Sequence, residues 1–121
     1  MRDFSYTLRP PAETTCVFVG PLADVPCEAP ARTGCLVADA RVHASFAPLL
    51  DPFVARLVAR PADPIVLPAG EALKDLAAVG GLWSALSARG LDRGSLVVAA
   101  GGGSLLDACG FAAATYLRGV P

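Results

Sequence analysis

The feature that most constrains the fold is an apolar segment, residues 95–100, that runs directly into three consecutive glycines at 101–103. Residues 104–117 follow with alanine and other apolar side chains, which predicts a buried helix. Glycine allows positive φ and a close approach of the backbone to a ligand. A helix N-terminus offers unpaired N–H groups and partial positive charge to a pyrophosphate. The sequence therefore predicts either an anion-binding strand–turn–helix unit or a tight turn without a ligand.

Other apolar or β-branched segments predict further strands at residues 4–8, 15–20, 34–39 and 64–68. The later strands are almost continuously hydrophobic, as parallel strands covered on both faces are. Helical spacing predicts a helix over residues 46–58, with Pro48 and Pro52 delaying its regular start. It predicts another over residues 71–89, which Gly80 and Gly81 weaken and Gly90 caps.

Strands and helices that alternate in this way predict an α/β fold, a Rossmann-like, doubly wound and mostly parallel sheet. A chain of 121 residues suits one such domain. Hydrophobic residues make up 54% and charged residues 17%, a composition typical of a globular core.

Charge and hydropathy exclude several classes of partner. The formal net charge is -1 and no basic stripe is present, so we expect no nucleic-acid or anionic-membrane binding. No apolar run approaches the roughly 20 residues of a membrane-spanning helix. The first residues lack the apolar core of a signal peptide, which predicts a cytoplasmic protein.

The four cysteines form no C-x-x-C pair, and His43 is the single histidine of the sequence. A zinc site normally takes three or four closely spaced ligands. We therefore expect reduced cysteines that act as small core residues, a structural His43, and no metal site within this chain.

Several polar residues follow predicted strands, at the sheet edge where open α/β folds bind ligands. Asp39 can accept from a ribose hydroxyl or cap a helix. Glu71 and Lys74, the single lysine, can hold a ligand or pair with each other at i, i+3. Ser104 can cap its helix or donate to a phosphate. The Asp107 carboxylate can interact favourably with the positive end of the helix dipole or contact a ribose or substrate hydroxyl.

These motifs, taken in order, resemble the 3-dehydroquinate synthase family, among the sugar-phosphate cyclases. The resemblance rests on P-A-G-E-A-L-K at residues 68–74, G-L-D-R-G-S at 90–95, and G-G-G-S-L-L-D-A-C-G-F-A-A-A-T-Y-L-R-G at 101–119. The G-G-G-S-L-L-D spelling also resembles iron-dependent alcohol dehydrogenases, but the G-F-A-A-A-T-Y-L-R-G tail favours the synthases.

The resemblance implies NAD as cofactor and assigns roles position by position. Asp39 matches a residue that binds the adenosine ribose, and Arg118 matches an arginine that contacts the substrate phosphate. A guanidinium at a helix end near an anion-binding turn suits that role. The remaining matches hold the cofactor, its pyrophosphate and its nicotinamide ribose: Gly70, Glu71, Lys74, Gly102, Gly103, Ser104, Leu105 and Asp107. Leu106 departs from the family's glycine, and we expect it to crowd the pyrophosphate or alter the turn.

The resemblance also implies that residues 1–121 are an incomplete NAD-binding domain. The family's catalytic lysines and its metal-binding helical C-terminal domain, with zinc or cobalt, match nothing in this sequence. We expect no catalysis by the chain alone, and no catalytic residue in it. The complete enzyme would cyclise a seven-carbon phospho-sugar acid with loss of phosphate, in the shikimate pathway.

Two alternatives remain open, a cyclase of secondary metabolism acting on sedoheptulose 7-phosphate or a glucose phosphate, and a non-catalytic nucleotide-binding or interaction module. Because a truncated domain exposes apolar surface, we expect poor solubility or self-association. The partner would be a second copy in a homodimer, or a complementary domain.

Overall fold

The computed structural model describes residues 18–27 and 29–121. Within these residues, four strands and three α-helices follow one another in the order β1 (Ala31–Asp39), α1 (Ala40–Leu57), β2 (Val58–Pro61), β3 (Ile65–Leu67), α2 (Leu76–Ala88), β4 (Leu96–Ala100) and α3 (Gly103–Thr115). Single 3-10 turns occupy Leu22–Asp24, Glu71–Leu73 and Tyr116–Arg118.

The strand β1 is the centre of a parallel sheet. Strands β2 and β3 lie one after the other along one of its edges, with Thr33 opposite Arg60 and Val37 opposite Ile65. Strand β4 pairs with its other edge, with Leu36 opposite Val98. All four carboxyl ends therefore point the same way, which brings the segments that follow β1, β3 and β4 to one edge of the sheet.

Helices cover both faces of the sheet. Cys35 and Val37 pack with the residues of α2 and α3, whereas Leu36 and Ala38 pack with Leu50 and the rest of α1. The alternation follows from the two-residue period of a strand, and it explains why β1 is apolar at consecutive positions. The predicted doubly wound α/β fold is confirmed.

The helix α1 begins at Ala40, six residues before the start that the sequence predicts. Pro48 and Pro52 both lie inside it, on its exposed side, where water can satisfy the carbonyl groups that lose a partner. The Asp39 carboxylate caps the helix by accepting from the Val42 N–H at 2.8 Å. The capped start and the burial of one helix face outweigh the two prolines, so the prediction of a late start is wrong.

The predicted helix over residues 71–89 is divided. A 3-10 turn ends at Leu73, and α2 begins at Leu76, capped by the Asp75 carboxylate, which accepts from the Ala78 N–H at 2.6 Å. At the other end Gly90, with φ of 72°, donates to the Ser87 carbonyl. Leu91 donates to the Leu86 carbonyl, which completes a Schellman motif and confirms the predicted glycine cap.

Two of the predicted strands lie wholly or partly outside the described residues. Residues 4–8 and 15–17 lie outside the described part of the chain, and residues 18–20 form no strand. The structure adds β2, which the sequence pattern did not predict because its four residues include Arg60 and Pro61. Such short edge strands owe their conformation to the neighbouring strand rather than to their own propensity.

The segment after α3 returns to the sheet. The buried Tyr116 hydroxyl donates to the Leu91 carbonyl at 2.7 Å, which ties the end of α3 to the loop after α2. Pro121 then accepts from the Val97 N–H at 2.7 Å, along the outer edge of β4.

Candidate functional site

The candidate site lies at the carboxyl edge of the sheet, where three chain segments meet. Asp39 ends β1, the Glu71–Leu73 turn follows β3, and Gly101 follows β4 directly. Parallel strands that end together give this edge its ligand-binding role in open α/β sheets. The predicted residues of these three segments are thus brought together.

The glycine turn leaves the N-terminus of α3 open. Gly102 is its N-cap, and no side chain among the described residues caps it, so the prediction of Ser104 as N-cap is wrong. A β-carbon on Gly102 or Gly103 would meet nothing within 4 Å. None of the three glycines has positive φ, so their importance here is space rather than backbone conformation.

Gly101 differs from the other two glycines because it is packed. A β-carbon there would lie 2.9 Å from the Asp39 Oδ2 atom and 2.9 Å from a Leu105 methyl carbon. Asp39 is 7% exposed and uses its Oδ1 atom to cap α1, which leaves Oδ2 directed at the glycine turn. Leu105 is buried, and its side chain packs in the core.

Leu106 lies in the regular first turn of α3. Its N–H donates to the Gly102 carbonyl at 3.0 Å, which is the first regular bond of α3, and its side chain is about half exposed. The two effects expected of Leu106, a crowded pyrophosphate and an altered turn, both stay predictions.

A polar cluster joins the Glu71 turn to α3. The Ser104 hydroxyl donates to Glu71 Oε1 at 2.7 Å, and the Lys74 ammonium lies 3.6 Å from Glu71 Oε2 and 3.1 Å from Asp107 Oδ2. The hydrogen bond with Asp107, and then the negative charge of Glu71, raise the pKa of Lys74. Lys74 is therefore a permanent cation, held beside the open helix N-terminus.

A cleft of about 370 Å³ adjoins this cluster, between the start of α2 and α3. Lys74 and Asp107 form its polar side, and Leu76 and Phe111 are among its apolar lining residues. Leu76 is 79% exposed and Phe111 is 52% exposed. Helical spacing places Leu76 on the apolar side of the predicted helix over residues 71–89, which predicts its burial, so no sequence signal indicates this cleft.

Arg118 does not join the cluster. It follows the C-terminal end of α3, whose 13 residues correspond to a length of about 20 Å. The expectation that this guanidinium lies near the glycine turn is therefore wrong within one copy of the chain, because the helix carries it to the opposite end of the sheet.

Cys27, Cys35 and Cys109 are free thiols. Burial raises the pKa of Cys35, and it raises the pKa of Cys109 to about 11, with a smaller effect from the nearby Cys35. Within residues 18–27 and 29–121, no three His, Cys, Asp or Glu side chains are grouped to hold a metal ion. His43 is half-buried on α1. No helix in the same ranges is long and apolar enough to cross a membrane.

Residues 64–121, which carry β3, the Glu71–Leu73 turn, the glycine turn and α3, match the family described as 3-dehydroquinate synthase N-terminal. This segment is similar to the N-terminal part of the 3-dehydroquinate synthases. The resemblance drawn from the motifs is thus confirmed over the part of the chain where those motifs are densest.

Among curated relatives, the chain is 49% identical over 61 residues to 2-epi-valiolone synthase of Stigmatella aurantiaca, covering 50% of this chain and 15% of the relative. It is 48% identical over 58 residues to 3-dehydroquinate synthase of Citrifermentans bemidjiense, covering 48% and 16%. The matches thus span about a sixth of these relatives' length.

Solved structures extend the similarity to nearly the whole chain. ValA, a 2-epi-5-epi-valiolone synthase from Streptomyces hygroscopicus with NAD+ and Zn2+ bound, is 30% identical at a TM-score of 0.75 and covers 96% of this chain and 33% of its own. A 2-deoxy-scyllo-inosose synthase with carbaglucose-6-phosphate, NAD+ and Co2+ is 27% identical at a TM-score of 0.64, covering 73% and 24%. Both share the α/β fold of this chain.

Proposed function

We propose that this chain binds NAD at the carboxyl edge of its sheet, as the N-terminal NAD-binding part of a 3-dehydroquinate synthase-like enzyme. One observation carries the proposal: the uncapped N-terminus of α3, an open glycine turn and the Lys74 ammonium lie together. Partial positive charge, space for close approach and a fixed cation are what a pyrophosphate requires. The NAD+ bound to the solved relatives supports the same cofactor.

Each residue of the site has a proposed role. The backbone N–H groups of Gly103, Ser104 and Leu105 would hold the pyrophosphate, because α3 leaves them without a side-chain cap. Asp39 Oδ2, which is not used in capping, would accept from the adenosine ribose hydroxyls. Lys74 and Asp107 would contact the nicotinamide ribose.

The bound NAD would accept and return a hydride in the complete enzyme, while this chain's residues would orient it and exclude water. The described residues offer no grouped ligands for a divalent metal, so they do not fit the zinc or cobalt of the solved relatives. We therefore propose that the metal and the catalytic residues lie outside this chain, and that the chain is inactive alone.

The proposed reaction of the complete enzyme is the phosphate-eliminating cyclisation of a seven-carbon phospho-sugar acid. The second candidate is a cyclase of secondary metabolism that acts on another sugar phosphate, which the similarity to 2-epi-valiolone synthase favours. A phosphate-release assay with the phospho-sugar acid and with sedoheptulose 7-phosphate distinguishes the two in a chain completed by a metal-binding domain. The 121-residue chain itself should release phosphate from neither.

We propose that Arg118 contacts the substrate phosphate at a site of another copy of the chain or of a complementary domain. Because it lies about one helix length from the glycine turn, a second copy of the chain or a complementary domain would have to bring it near the NAD of another site. Association as a homodimer is therefore part of the proposal.

Calorimetry with NAD tests the function on the purified chain. We expect measurable binding that Asp107→Ala weakens at least about tenfold, a loss of about 1.4 kcal/mol. Asp51→Ala is the matched control, because Asp51 is an exposed carboxylate on α1, which lies across the sheet. A folded chain that binds no NAD, or equal effects of the two substitutions, would contradict the proposal.

A further inference from the structure

The turn that follows α3 has a strained backbone. Leu117 has φ of 48° and ψ of 34°, and Arg118 has φ of 67°. No other non-glycine residue in the described part of the chain has positive φ. In this left-handed region the β-carbon of an L-residue lies too close to the following carbonyl oxygen. Two consecutive residues therefore adopt a conformation that glycine would adopt without strain.

Buried residues on both sides keep the turn in this conformation. Tyr116 is 8% exposed and donates its hydroxyl to the Leu91 carbonyl at 2.7 Å. Val120 is 9% exposed and donates its N–H to the Ala113 carbonyl at 2.9 Å. Both side chains belong to the core that α2 and α3 form on one face of the sheet. Because the chain must pass from one buried residue to the other within three residues, packing imposes the strain.

The end of α3 is itself fixed against α2. The Trp83 indole N–H donates to the Ala112 carbonyl at 3.2 Å and to the Thr115 hydroxyl at 3.1 Å. Trp83 lies on α2, so its indole ties the last turns of the two helices together. The strained turn therefore begins at a helix end whose position a second helix fixes.

The strained residues have exposed side chains. Leu117 is 47% exposed, Arg118 is exposed, and no carboxylate among the described residues forms an ion pair with Arg118. Arg89 shows the contrast, because its guanidinium stabilises the fold by donating to the Asp63 carbonyl at 2.6 Å. Strain that the surrounding packing maintains is typical of ligand contacts. What this strain produces is a guanidinium on a fixed backbone at the surface.

We infer that Leu117 is a positioning residue for Arg118: the strained turn fixes the backbone of Arg118 and so preorganises its guanidinium for the anionic group of a ligand. Preorganisation reduces the entropy that a flexible side chain and loop lose on binding. Contact with a substrate phosphate rests on the proposed function, whereas the strain and the rigidity of the turn do not. Removing the strain should therefore raise stability and lower ligand affinity.

Thermal unfolding of the 121-residue chain tests the strain. Leu117→Ala keeps the β-carbon that causes the strain, and Leu117→Gly removes it. Leu106 is the matched control, because it is also 47% exposed but lies in the regular helix α3. We expect Tm of the glycine variant to be about 2–6 °C above that of the alanine variant at residue 117, and about 4 °C or more below it at residue 106. An equal or lower Tm for Leu117→Gly than for Leu117→Ala overturns the inference.

Backbone 15N relaxation tests the rigidity of the turn. We expect order parameters of about 0.85 at residues 117–119 of the wild-type chain, as in rigid backbone, although the turn is exposed. Leu117→Gly should lower them toward about 0.6, because glycine relieves the strain but allows more conformations. Leu117→Asn keeps a β-carbon and tolerates the left-handed region, so it should restore them. Wild-type values below about 0.6, or equal values in Leu117→Gly, overturn the inference.

The phosphate-release assay, in a chain completed by a metal-binding domain, is the separate arm. We expect Leu117→Gly to raise KM for the phospho-sugar about three- to tenfold at unchanged kcat, and Leu117→Asn to restore KM. A wild-type KM in Leu117→Gly refutes the positioning role even where Tm rises. Absence of activity in the completed wild-type chain refutes the proposed function instead, and Tm and the order parameters then decide the inference.

Discussion

Two glycines of the same turn should respond in opposite ways to the same added methyl group. In Gly101→Ala, the new β-carbon would lie 2.9 Å from both Asp39 Oδ2 and a Leu105 methyl carbon, about 0.5 Å short of ordinary van der Waals contact. Both neighbours are buried and cannot simply rotate away. In Gly103→Ala the methyl group enters open space.

The free energies follow from this packing. Overpacking of a buried site typically costs about 1–3 kcal/mol, and 1 kcal/mol shifts Tm by about 4–8 °C in a domain of 60–100 residues. We therefore expect Gly101→Ala to lower Tm by at least about 4 °C. Gly103→Ala should keep or slightly raise Tm, because alanine favours a helix by up to about 1 kcal/mol over glycine.

For NAD affinity, Gly103→Ala rather than Gly101→Ala should show the direct effect of the added methyl group. The methyl group of Gly103→Ala would occupy the space through which we propose that the pyrophosphate approaches, so NAD affinity should fall about tenfold or more although the fold is intact. Thermal unfolding monitored by circular dichroism, with NAD calorimetry on the same samples, measures both quantities. A wild-type Tm for Gly101→Ala refutes the packing argument, and wild-type NAD affinity for Gly103→Ala refutes the pyrophosphate position.

Three further predictions concern the rest of the chain. Tyr116→Phe leaves the Leu91 carbonyl without its hydrogen-bond donor, so urea unfolding should show a free energy of unfolding that is lower by about 1–3 kcal/mol. An unchanged urea midpoint would show that this hydrogen bond does not stabilise the fold. Because the pKa of Cys109 is raised to about 11 from 9.0, its neutral thiol favours the folded state. Stability should therefore fall by about 2 kcal/mol between about pH 8 and pH 10.5, and Cys109→Ala should abolish that part of the pH dependence. Leu76 and Phe111 leave apolar surface exposed, so sizing chromatography should show self-association, which a monodisperse monomer would contradict.

The order of β1, β3, β4 and the three helices was predictable from local sequence, whereas β2 was not. A nearly continuous apolar run such as residues 95–100 predicts a strand buried on both faces, and the glycines after it predict a turn. The glycine cap at Gly90 was equally local, because a left-handed residue after a helix is nearly always glycine or asparagine. These predictions needed no knowledge of what packs against what.

The start of α1 and the division at Leu73 depended on tertiary structure. Pro48 and Pro52 argue against a helix locally, but the Asp39 cap and the burial of Leu50 and Val54 against the sheet outweigh them. Leu73 is drawn into the core and interrupts the helical spacing that would join it to α2. Packing energy is non-local, so no window of sequence contains it.

The sequence by itself determined which residues the candidate site contains: the glycine turn, Glu71 with Lys74, Asp39 and Asp107 all follow apolar strands and so share one edge of the sheet. Only the tertiary structure decided how they are arranged. It bonds Ser104 to Glu71 across 33 residues of chain, packs Gly101 against Asp39, and carries Arg118 to the far end of α3. The physical reason is that strand order fixes an edge, whereas contacts across that edge depend on how the helices pack on the sheet.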